Sequence, residues 1–215
     1  MLASAAWAFT VAGLMALQKP IYERVRLLLW MLFVYLVPLA AVIFLFHLDY
    51  FDFQAPIVYT FFIIVITMIT ASSWYLYRQP EIVAKAEEMP SSVIVKSWLS
   101  LIILVIGAWG VALFITDSGP TKLIWVWAGD LLSSRLIGAM LLTIATGAWY
   151  SRNNADTARV MLATLFTYAV GIALASAWFV FFGKPVVTSY LIVFGIMGIV
   201  TGLLLVGDKA HLITE

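Results

Sequence analysis

A chain of 215 residues that is 64% hydrophobic and only 11% charged, with a mean hydropathy of +1.06, cannot cover a water-soluble fold. An ordinary soluble domain is roughly 25% charged. The formal net charge of +1 carries no information about nucleic acid or acidic partners, since its distribution matters and its sum does not, and the lack of cysteine excludes a disulfide framework or a thiolate metal site.

Apolar runs of about 20 residues recur, each long enough as a helix to cross roughly 30 Å of hydrocarbon. They do not alternate as barrel strands do. The expected fold class is therefore an all-α integral membrane protein, a bundle of six to seven transmembrane helices built from parallel two-helix hairpin units. Residues 1–215 form one transmembrane domain.

In chain order, residues 1–17 are apolar and rich in small side chains, and their basic flank of Lys19, Arg24 and Arg26 follows the run. A secretory signal carries its charge before the run. This stretch reads as a short first span with its N-terminus outside, an interfacial helix being the alternative. Further spans are expected near 27–47, 57–77, 97–116, 132–150, 160–182 and 187–206. Pro38 lies inside its span and should bend it.

The connections alternate in charge. Lys19, Arg24, Arg26, Arg78, Lys85, Lys96, Arg152, Arg159 and Lys209 fall on one side, nine of the twelve basic residues. Lys122, Arg135 and Lys184 fall on the other, beside Asp49, Asp52, Asp117 and Asp130. Because cytoplasmic loops collect Lys and Arg, the first side is expected to be cytoplasmic, with the C-terminus inside. The expected location is the cytoplasmic membrane of a bacterium.

A slide of 68 residues superimposes Trp30 on Trp98, Val37 on Val105 and Asp49 on Asp117, and a slide of 75 superimposes Trp74-Tyr75 on Trp149-Tyr150. Such matches predict a repeated hairpin in one orientation, unlike the inverted repeats of many transporters. Gly198 and Gly202 form a GxxxG with Gly195 nearby, and Gly171 lies between Thr167 and Ala175 at four-residue spacing. These glycines predict close helix packing, in the bundle or in a dimer.

Every Asp, Glu, Lys, Arg and His falls at a span end or in a loop, so no intramembrane proton relay is readable. His47 and His211 fall on opposite faces and cannot jointly ligate a haem, and no nucleophile–base pair, carboxylate dyad or metal-ligand spacing is present. Neither catalysis nor a metal is expected.

What remains are binding features. Arg135 sits against the charge trend, one turn inside its span, where a cation opposes the dipole of its own helix. With Asp117, Asp130, Trp125 and Trp127 it forms a candidate patch for an anionic headgroup or a partner; an ion pair with Asp117 or Asp130 is the plainer reading. His47 is a candidate pigment ligand at the outer boundary, or an interfacial residue bonded to headgroups or Asp49. Trp109, well inside its span, is a candidate cavity residue for quinone, carotenoid or lipid. Thr67 and Thr70, with Thr143 and Thr146, either bond back to their own helices or line a neutral path. The segment 78–90, bounded by prolines, reads as a short helix on the membrane or a solvated linker.

The expectation is a non-catalytic multi-pass subunit that assembles with itself or with a larger membrane complex, photosynthetic or respiratory, and holds lipid, quinone or pigment. The alternative is a channel or facilitator for a neutral or weakly polar solute, with the threonine faces as its path.

Overall fold

The structure, a computed structural model, describes residues 2–78, 89–116, 131–183 and 188–211. It contains seven α-helices: α1 (Leu2–Gln18), α2 (Tyr22–Phe46), α3 (Pro56–Arg78), α4 (Val93–Ile115), α5 (Leu131–Ser151), α6 (Ala155–Phe181) and α7 (Thr188–His211). Six are long and apolar enough to cross a membrane, and α1, with 17 residues, is the shorter exception. The protein is an all-α membrane-spanning bundle.

Helix ends follow local chemistry. Ser92 caps α4 by accepting from the Val95 amide at 3.3 Å, and Asn154 caps α6 by accepting from the amides of Asp156 and Thr157. Pro56 opens α3, where its missing N–H is not needed. Gly183, at φ 63°, ends α6 in the left-handed region that suits a residue without a Cβ. α2 continues past Pro38 to Phe46 without interruption.

Consecutive helices pack as hairpins, α2 with α3, α4 with α5 and α6 with α7, and these are joined through α2 on α5 and α1 on α6. The centre is thus α1, α2, α5 and α6, with α3, α4 and α7 around it. The two hairpins matched in sequence are seated differently. In the first the leading helix is central; in the second the trailing one is. Only 11% of the apolar stretch of α3 is buried, against 56% of α5, its counterpart at a slide of 75 residues. Of the matched Trp-Tyr pairs, Trp74 and Trp149 are both exposed.

Small residues set the close interfaces. α1 presents Ala5, Ala8, Ala12 and Ala16, all buried, and packs on α6. There a Cβ on Gly171 would meet the Ser4 Oγ at 2.8 Å. Gly198 and Gly202 face Val170 and Phe166 of α6, so the GxxxG is spent inside the bundle and is not a free dimer seam. Gly195 meets nothing within 4 Å. The tightest crossing joins α4 and α5, where a Cβ on Gly138 would lie 2.7 Å from the Phe114 amide nitrogen and 2.9 Å from the Gly110 carbonyl oxygen.

Because those neighbours are backbone atoms, Gly138→Ala should force α4 and α5 apart and cost about 1–3 kcal/mol, the range for overpacking. Gly195→Ala, with open space around it, should be neutral or slightly stabilising. Thermal unfolding in mild detergent should separate the two variants.

Candidate binding sites at the α4–α7 cleft and the helix ends

The interface between α4 and α7 differs from the others, being bridged by large side chains across separated backbones. Near its basic end, the Trp98 indole donates to Thr201 Oγ1 at 3.2 Å. Toward the other end, Trp109 stacks edge-on against Tyr190 at 5.5 Å between centroids and tilts against Phe194 at 6.2 Å. Phe194 in turn meets the fully buried Tyr168 of α6 at 5.8 Å. The rings leave a cavity of about 410 Å³, bordered by Val105, Ala108, Trp109 and Ala112 of α4 and by Val193 and Phe194 of α7. Its walls are almost wholly apolar. Trp109 is therefore a cavity residue, and its own Nε1 is buried without a hydrogen-bond partner.

The threonines do not come together. Thr67 and Thr70 lie on the exposed side of α3, whereas Thr143 is fully buried in α5. Thr70, Thr143 and Thr146 each donate to the carbonyl four residues earlier in their own helix, at 2.8–2.9 Å. Thr146 also borders a shallower hollow of about 280 Å³ between α4 and α5.

Arg135 is held by the end of another helix. Its Nη1 lies 2.9 Å from His47 Nε2, and its guanidinium sits 5.1 Å from the centroid of the Phe46 ring. His47 is the C-cap of α2 and only 3% exposed. Arg135 thus opposes the dipole of α5 but complements that of α2, whose negative end it faces. Since a guanidinium can only donate, this contact uses the His47 Nε2 lone pair, the one a pigment magnesium would need from that nitrogen. Next to it, Ser134 reaches back to α4, its hydroxyl lying 3.0 Å from the Leu113 carbonyl and 3.2 Å from that of Thr116. Asp117, Trp125, Trp127 and Asp130, the rest of the expected patch, lie outside the described residues, as does most of the segment 78–90.

The opposite end holds a site that the span-by-span reading of the sequence missed. Arg24, in the first turn of α2 and 8% exposed, donates from Nε and Nη2 to the two carboxylate oxygens of Asp156, each at 2.6 Å, and from Nη1 to the Met15 carbonyl at 2.8 Å. Lys19 approaches the same carboxylate at 3.7 Å. This forked pair clamps the α1–α2 turn onto the N-terminus of α6, where an acidic residue also suits the helix dipole. The available signal was the lone carboxylate of Asp156 between Arg152 and Arg159 on the basic side. Main-chain bonds between Met89 and Ala155 and between Ser91 and Asn153 tie the start of α4 to the same corner.

Among the described residues, no three His, Asp or Glu side chains gather as a metal site. Comparison with known proteins found no matching family model, no matching curated protein and no matching solved structure.

Asp156→Asn should leave the Arg24 guanidinium largely buried without its counter-charge and destabilise the protein by about 3 kcal/mol, the lower end for breaking a buried pair. Replacing both partners by leucine should recover part of that loss, a sign measurable by denaturant titration in detergent.

Proposed function

We propose that this protein is a non-catalytic membrane subunit that holds an apolar ligand, a lipid chain, quinone or carotenoid, in the cleft between α4 and α7, and that assembles laterally within a larger membrane complex or with itself. The observation that carries the reading is the cavity beside Trp109. Its volume of about 410 Å³ falls within the span of about 300–1,000 Å³ common to small-molecule sites, and its lining is apolar and aromatic. At the α1–α6, α4–α5 and α6–α7 contacts small residues bring the helices close; here large rings span the gap.

Trp109, half-buried and braced by the buried Tyr190 and Phe194 rings, offers an aromatic surface to a conjugated or isoprenoid chain, and ring contacts of this kind add to simple area burial. Lateral assembly is supported by α3, which projects Ile63, Ile66, Trp74 and Tyr77 outward and takes little part in the core. The distribution of Lys and Arg supports a cytoplasmic basic face, and with it a cleft cavity facing the outer leaflet of a bacterial cytoplasmic membrane.

Purification in mild detergent, followed by solvent extraction, absorption spectroscopy and mass spectrometry, should yield one apolar species in near-stoichiometric amount. Ala108→Phe, which fills the cavity from an already exposed position, should lower its recovery about tenfold while leaving thermal stability within about 0.5 kcal/mol, as for other surface substitutions. Extracts holding only bulk lipid, identical for both proteins, would refute the reading.

A further inference from the structure

At the end of the bundle opposite the Arg24–Asp156 clamp, the first turn of α5 is fastened to two neighbours. Ser134 reaches the last carbonyls of α4, and Arg135 reaches the end of α2. The 2.9 Å contact between Arg135 Nη1 and His47 Nε2 exists in one protonation state of the imidazole only. A guanidinium has no lone pair to offer and keeps its proton in a protein, so Nε2 accepts the bond and the imidazole is neutral. With His47 only 3% exposed, little water is at hand to screen a second charge placed there.

Histidine is the side chain whose ordinary pKa, about 6.5, lies where modest acidification changes its charge. A proton taken up at Nε2 occupies the lone pair that Arg135 uses and sets two cations side by side. The two also compete for one attraction. His47 is the C-cap of α2, whose negative end favours a cation, and Arg135 already draws on that end while resting on the Phe46 ring. A protonated His47 takes over the helix end that Arg135 gives up.

Few other titratable groups stand nearby on the described elements. Tyr50 lies edge-on to the imidazole at 5.2 Å and stays neutral in acid, and the exposed Asp49 shares its short turn, Leu48–Tyr50. α5 contributes Arg135 as its one charged residue, and α3 has none before Arg78 at its far end. α1 has none, and α2 and α6 carry theirs in their first two turns, at the opposite end of the bundle. Asp117, Lys122 and Asp130 lie outside the described residues.

We propose that the Arg135–His47 contact is a pH-operated latch: protonation of His47 detaches Arg135 and frees the first turns of α5 from the end of α2, leaving Ser134 to hold α5 on α4. The latch shares no residue with the α4–α7 cleft and stands or falls independently of it.

The test is hydrogen exchange of the detergent-solubilised full chain between pH 7.5 and 5, corrected for the intrinsic pH dependence of amide exchange. Each opening takes up one proton, so the open fraction should rise by up to about tenfold per pH unit below the ordinary histidine value. The rise is expected in residues 43–47 and 136–139, and not in residues 22–26 beside the clamp, which has no histidine. His47→Gln, whose amide oxygen can accept from Arg135 but does not titrate, should keep both segments closed throughout. Arg135→Gln, which leaves no cation to repel a protonated His47, should abolish the rise whatever its protection at pH 7.5. Asp49→Asn should keep the rise in full. Equal protection of the parent protein at both pH values overturns the proposal, as does loss of the rise in Asp49→Asn. So does a rise that survives in His47→Gln or Arg135→Gln, which would trace it to a carboxylate.

Discussion

A helix surrounded by lipid gains nothing from hydrophobicity by choosing another helix over an acyl chain, and that constraint governs how this bundle is held together. Association must come from close packing and from polar contacts that have no alternative partner. The glycines and alanines supply the first. At the Gly110–Gly138 crossing the backbones of α4 and α5 come so near that no side chain fits between them, and the alanine row of α1 lets it lie along α6. Polar contacts supply the second, and most sit at helix ends. Arg24 with Asp156, Ser134 with the last carbonyls of α4, and Arg135 with His47 each join the terminus of one helix to another.

The α4–α7 cleft follows from the same constraint. Gly198 and Gly202 lie on the face of α7 that meets α6, so the face toward α4 has no small-residue row with which to close. Rings span the gap instead, and rigid rings at fixed angles cannot fill it as flexible aliphatic chains would. An apolar cavity of this kind costs little in a membrane, where a lipid chain can enter it; in a water-soluble core its lining would lose packing contacts outright.

Span positions and hairpin order were legible in the sequence because length and hydropathy each act on a single helix. Relations between helices were not. The slide that matched Trp74-Tyr75 with Trp149-Tyr150 implied equivalent places for α3 and α5, yet one lies at the edge and the other in the centre. Apolar composition is the same for a lipid-facing and a buried helix, and hydrophobicity cannot tell them apart. Trp109 was legible as an unusual residue at its depth, but its partners Tyr190 and Phe194 were not, since nothing in their spacing marks them. Arg24 and Asp156 were hidden because each falls in a first helical turn and reads alone as an ordinary end charge, separated by 132 residues from the group it needs.

The two arginines at opposite ends illustrate different ways to keep an always-charged group at the margin of a bundle. Arg24 is neutralised by a carboxylate and makes three directed bonds, which fixes the α1–α2 turn on α6. Arg135 is held by a histidine nitrogen, an aromatic face and the negative end of α2, none of which carries a full charge. A guanidinium is more weakly hydrated than an ammonium and keeps donors to spare after one bond, so it tolerates such a seat where lysine would not. That explains how a basic residue persists against the charge trend without a carboxylate inside the described bundle, and why the end of α2, more than α5 itself, determines where it sits.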